Sequence, residues 1–172
     1  LSEECSKSGV HIFEDSHAKS IETANGKDIF HIQTFKKQNF MSKKVIYATG
    51  GYGGTLSRDL NKILLSIKTF IAVSDPIPGL LNKHLPTEFM IADSRRAGNY
   101  FRSLKDGRLL WGMGISAFGD KSITTIKDDA FNNLAAYIPD LARDMKASNA
   151  KFEYAWSGNM AYGRDYLPFV GK

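Results

Sequence analysis

Apolar and polar positions along the chain fall into short blocks, and most of the blocks have the period of two that belongs to strands. Residues 10–13 (VHIF) and 18–23 (AKSIET) alternate, and 28–35 (DIFHIQTF) sets Ile29, His31, Gln33 and Phe35 against Phe30, Ile32 and Thr34. Between them stands Asn25-Gly26, the dipeptide suited to a two-residue hairpin turn. Residues 45–48 (VIYA) are continuously apolar, the pattern of a strand buried on both faces. Residues 1–8 read as the last turns of a helix, with Gly9 as its left-handed terminator.

After residue 50 the pattern changes. Residues 57–65 suit a short helix with Ser57 as N-cap. Residues 68–74 (KTFIAVS) read as a strand that stops at the proline-rich break 75–79, and 88–92, 99–104 and 108–115 read as three more, the last two joined by a turn at 105–107. Thr125 to Asp128 resembles a capping box, and Ile126, Phe131, Leu134, Ala135, Ile138 and Leu141 follow at helical spacing. Residues 151–156 and 166–171 return to extended structure. The expected architecture is α+β: a first unit over 1–52, a connection over 53–67, an antiparallel sheet with a packed helix over 68–160, and a closing segment over 161–172.

Composition removes several functions. The 172 residues carry a net charge of +5, but the pairs Lys36-Lys37, Lys43-Lys44 and Arg95-Arg96 lie far apart, so no nucleic-acid stripe is expected. Aromatic and basic residues interleave over 99–108, yet the glycine-aromatic pattern of an RNA-recognition motif is missing. The single Cys5 and the scattered His11, His17, His31 and His84 supply neither a disulfide nor a metal cluster, and a reducing, cytoplasmic setting is the default. No apolar run approaches the ~20 residues of a membrane span, and no signal peptide opens the chain.

The glycine-rich stretch 45–54 (VIYATGGYGG) is the first candidate for chemistry. Glycines at 50, 51, 53 and 54 leave backbone N–H groups uncovered, which suits close approach to a phosphate or a ring. It is not a Walker loop, because Thr55-Leu56 follow Gly54, and the spacing does not match the dinucleotide fingerprint. Taken alone it reads equally as a tight connection between domains.

Its neighbours widen the picture. Residues 10–14 (VHIFE) before a hairpin, the strand ending in Ala48-Thr49-Gly50, the stretches 68–77, 93–102 and 106–114 (DGRLLWGMG), and finally Trp156-Ser157-Gly158 with 165–171 (DYLPFVG) resemble the D-amino-acid oxidase, glycine oxidase and sarcosine oxidase superfamily. Within it the chain looks most like the gamma-glutamylputrescine oxidoreductase branch. The resemblance implies the end of an FAD-binding, Rossmann-like domain followed by a substrate domain built on an antiparallel sheet. It also implies FAD as cofactor and a small amine or amino acid as substrate, with no nucleic-acid or membrane partner. Ala18, Thr49, Gly50 and Gly51 would lie near the nucleotide portion of FAD, and Asp165, Pro168 and Gly171 near the flavin ring. The family's opening G-x-G-x-x-G segment is absent from these residues, and there is no initiator Met. The expectation is therefore an internal piece of a longer enzyme, itself inactive.

For a flavin amine oxidoreductase, the protein must present a substrate C–H bond to the flavin. Tyr100 and Arg102 stand two apart on one strand and share a face, and Trp111 is on the next strand. Arg102 suits a substrate carboxylate, and Tyr100 or Trp111 an amine by cation–π contact. The alternatives are core or interface packing for the aromatics and a solvated role for Arg102. Monomeric sarcosine oxidases place a lysine on the strand matched by 108–114, where this chain has Leu110 or Trp111, so oxidase and dehydrogenase both stay open. A non-catalytic α+β binding domain without flavin is the reading from another class.

Overall fold

The computed structural model describes residues 1–23, 29–87, 89–95 and 97–163. They form two units, Leu1–Leu64 and Leu65 onward.

In the first unit, helix α1 (Ser2–Lys7) ends as its sequence predicts: Gly9 has φ +82° and its N–H reaches the Ser6 carbonyl at 3.0 Å. Three strands, β1 (Ala18–Thr23), β2 (Phe30–Thr34) and β3 (Asn39–Ser42), make an antiparallel sheet in the order β1-β2-β3. The Asn25-Gly26 turn lies outside the described residues. The β2–β3 connection is held by Thr34, whose Oγ1 accepts the Gln38 N–H at 3.1 Å, with Lys37 at φ +63°.

Two expected strands in this unit do not form. Residues 10–13 are exposed loop, with Phe13 59% exposed against the ring of Phe40. Residues 45–48 are also loop, and Ile46 is 89% exposed rather than buried. The chain leaves the sheet just before them, where the Ser42 hydroxyl donates to the Lys44 carbonyl at 2.6 Å and accepts the Lys44 N–H, a local turn that ends β3. Among the described residues no strand runs beside 45–48. Helix α2 (Arg58–Ile63) follows, capped as expected by Ser57, whose Oγ accepts the Leu60 N–H at 3.3 Å.

The second unit holds a five-stranded sheet in the order β5-β6-β7-β4-β8: β4 (Leu64–Ser74), β5 (Ile91–Ala92), β6 (Tyr100–Ser103), β7 (Leu109–Ser116) and β8 (Phe152–Gly163). The β5–β6, β6–β7 and β4–β7 pairs are antiparallel. The β4–β7 pairing carries a bulge at Gly114 of β7, opposite the step from Thr69 to Phe70. Alternation then sends Phe70, Ala72, Phe101, Leu109, Trp111 and Met113 into one buried layer.

Helices cover that layer. Helix α4 (Ile123–Tyr137) contributes Ile126, Ala130 and Leu134, α5 (Pro139–Ala147) contributes Leu141, Ala142 and Met145, and α3 (Pro78–His84) contributes Leu81. Helix α4 starts earlier than Thr125, because Ser122 is its N-cap and accepts the Thr125 N–H at 3.0 Å. The single helix expected through Leu141 is two, since Pro139 lacks an N–H and its ring cannot follow a helical turn, whereas it suits the first turn of α5. Helix α3 forms where the sequence suggests a proline-rich break, and Pro78 is likewise its first residue. No helix among the described residues is long and apolar enough to cross a membrane.

Candidate functional site

The sheet of the second unit has helices against one face, and the other face carries the candidate site. In the β6–β7 register Tyr100 stands opposite Gly112, Phe101 opposite Trp111 and Arg102 opposite Leu110. Tyr100 and Arg102 therefore share the face away from the helices, together with Leu110 and Gly112. Trp111 belongs to the other face. It is fully buried, its ring is stacked on Phe101 at 4.4 Å, and its Nε1 donates to Asn133 Oδ1 of α4 at 3.0 Å. The structure thus brings Tyr100 and Arg102 together and leaves Trp111 in the core.

Gly112 is the residue that lets Tyr100 lie flat on the sheet. A Cβ at Gly112 would stand 2.0 Å from Cε2 of the tyrosine ring, so any side chain there would displace it. The ring is also held at its far end: the Tyr100 hydroxyl lies 3.3 Å from Thr69 Oγ1, and the Thr69 hydroxyl donates to the Gly114 carbonyl at 3.3 Å. Thr69 precedes the core-facing Phe70 on β4, so alternation puts it on the face of Tyr100. The Gly112–Tyr100 contact is invisible in the sequence, because it depends on the register between two strands.

Arg102 is exposed, and among the described residues its side chain makes one long hydrogen bond, from Nε to the Ser103 carbonyl at 3.5 Å. By contrast Arg95 is fully engaged. It forks onto Asp93 through Nε at 3.1 Å and Nη2 at 2.8 Å, while Asp93 also accepts the Asn99 N–H at 2.9 Å and the Tyr137 hydroxyl at 2.7 Å. Arg95 first, then Asn99 and Tyr137, hold the Asp93 carboxyl well below the usual carboxylate range. This clamp fixes the β5–β6 loop to the end of α4. Arg108 is similarly committed, pairing with Glu153 and donating to the Ser74 carbonyl at 3.0 Å. Arg108 in turn draws the Glu153 carboxyl below its ordinary value.

In the first unit, Thr49 precedes a 3-10 turn at Gly50–Tyr52, and a second follows at Gly54–Leu56 beside β1. Gly50 and Gly54 have φ of +52° and +47°, a region that favours glycine, and nothing lies within 4 Å of where a Cβ would stand on either. Ala18 is half-buried at the start of β1, paired with Thr34. At Gly50 and Gly54 the loop thus leaves open space, as close approach of a nucleotide to backbone requires. Asp165, Pro168 and Gly171 lie outside the described residues.

The α+β fold, with antiparallel sheets and helices on one face of the larger one, recurs in solved structures. The crystal structure of glycine oxidase from Geobacillus kaustophilus matches with a TM-score of 0.70 at 19% identity, over 97% of this chain and 42% of that one. That of FqzB matches with a TM-score of 0.59 at 17% identity, over 94% and 40%. In sequence, the "Probable oxidoreductase OrdL" of Rhizobium meliloti (strain 1021) is 25% identical over 169 residues, 98% of this chain and 37% of that protein. A family model described as FAD dependent oxidoreductase matches residues 1–172. The chain belongs to that family, and it spans about two fifths of the length of these relatives.

Proposed function

We propose that the protein carrying this chain oxidises the C–N bond of a primary or secondary amine or amino acid, in the manner of the gamma-glutamylputrescine oxidoreductase branch. FAD, when bound, accepts the hydride. The observation that carries the reading is the sheet face away from the helices, on which Tyr100 is laid flat over Gly112 and tethered to Thr69. A fixed aromatic face binds an amine by cation–π and apolar contact, and holds a C–H bond in one orientation. Arg102 on the same face supplies a guanidinium for a carboxylate. Thr49, Gly50 and Gly51, with Ala18 of the same unit, would take the nucleotide portion of FAD. The 172 residues hold no G-x-G-x-x-G segment, so this stretch alone is expected to retain little FAD.

Anaerobic mixing of the full-length protein with a panel of amines and amino acids tests the reading. Bleaching of the flavin by at least one member supports it. A flavin that no primary or secondary amine reduces, or a full-length protein that purifies colourless, rejects it in favour of a binding domain without redox chemistry.

A further inference from the structure

A cavity of about 470 Å³ lies between the end of β7 and α4, on the helix side of the second unit's sheet. Phe70 and Met113 give it an apolar floor. Asp129, Asn132, Asn133 and Ala136 line it from α4, at the three- and four-residue steps that put them on one helical stripe. Its size is that of a small-molecule site.

The polar group with a fixed orientation is Asn133. Its Oδ1 accepts the Trp111 Nε1–H at 3.0 Å, and because an indole N–H can only donate, the amide cannot be turned over. Its Nδ2 is left with two hydrogens to donate and no partner among the described residues. Lys121 closes one end of the cavity, where its Nζ meets Asp129 Oδ2 at 2.6 Å and stands 4.9 Å from the centre of the Phe70 ring. Lys121 and Asp129 are the charged residues among those lining the cavity, and they cancel. A charged ligand would therefore lose water without gaining a counter-ion. Asp129 Oδ1 remains an acceptor, one helical turn from Asn133 and roughly 5–6 Å from it at Cβ. A donor and an acceptor so placed, above an apolar floor, match an amide group, whose carbonyl and N–H stand side by side.

We propose that this cavity binds a small neutral amide borne on a flat apolar ring. Asn133 Nδ2 donates to the amide oxygen, Asp129 Oδ1 accepts the amide N–H, and the ring packs on Phe70 and Met113. The site lies on the opposite face of the sheet from Tyr100 and does not rest on the proposed oxidation.

Benzamide is the probe, titrated into full-length protein carrying isotopically labelled tryptophan. The Trp111 indole N–H resonance, identified by its loss in Trp111→Phe, reports on the Asn133 amide that it contacts. A saturable shift of that resonance with benzamide is expected. Benzoate, which adds an uncompensated charge, and N,N-dimethylbenzamide, which lacks the N–H, should each bind about tenfold more weakly. Asn133→Asp keeps an acceptor for Trp111 but removes the donor, so benzamide binding should fall about tenfold. Ala136→Leu puts a bulkier side chain at the cavity wall from an exposed helical position, and should also weaken binding while the melting temperature stays that of the parent. Absence of a saturable shift at Trp111, equal affinity for either analogue, or full binding by either variant overturns the proposal.

Discussion

At the scale of single residues, the site turns on a glycine that no local signal marks. Tyr100 and Arg102 could be placed on one face from strand periodicity, but Gly112 acquires its role only when β7 is set beside β6 in the observed register. Gly112→Ala would put a methyl carbon into the tyrosine ring. We expect it to lower stability by roughly 1–3 kcal/mol in denaturant unfolding. If Tyr100 orients substrate, flavin reduction in the full-length protein should slow as well, while Gly79→Ala, in open space on α3, should leave reduction unchanged. Trp111 illustrates the opposite limit. Its residue type suits a binding wall as well as a core, and only its partners, Phe101 and Asn133, decide for the core. Trp111→Ala should cost about 3–5 kcal/mol, as for other large buried side chains.

At the scale of elements, local chemistry was legible where it acts within one turn. Ser57 and Gly9 end their helices as their residue types dictate, and β4, β6 and β7 lie where alternation puts them. Prolines misled in two ways: Pro78 reads as part of a break and Pro139 as lying inside one continuous helix, yet each opens a helix. Residues 45–48 misled for another reason, since a continuously apolar run states a preference for burial without supplying the neighbours that bury it. Ser122→Ala should cost about 1 kcal/mol through loss of the α4 cap, seen as a lower unfolding midpoint. The packing of α3 on α5 has a charge component as well. Lys83, then His84, meet Asp144 at 2.7 and 2.8 Å and lower its carboxyl from 3.8 to about 2. A carboxylate with a depressed folded value stabilises the fold fully above its unfolded value, and that stabilisation is lost as pH falls through the folded one. The melting temperature should therefore drop between about pH 4 and about pH 2, and drop less in Asp144→Asn.

At the scale of the whole molecule, the two units differ in what holds them. Every fully buried apolar side chain among the described residues lies between Ile67 and Phe152, in the second unit. The first unit has Thr34 as its buried side chain and leaves Val10, Ile12, Phe13, Phe35, Met41 and Ile46 exposed. Its sheet is three short strands joined by backbone hydrogen bonds, a size that is marginal without a packed apolar face. Opening such a sheet exposes little apolar area that was not already exposed, so its opening free energy is small, whereas opening β4, β7 or α4 uncovers a contiguous core. Hydrogen exchange read by mass spectrometry on the 172-residue chain should therefore show β1–β3 amides exchanging orders of magnitude faster than those of β7 and α4. If FAD is held by Thr49, Gly50 and Gly51 in the same unit, the same amides in the full-length holoprotein should slow markedly and return toward fast exchange when the flavin is stripped. Equal protection of both units in the isolated chain would contradict this division of stability.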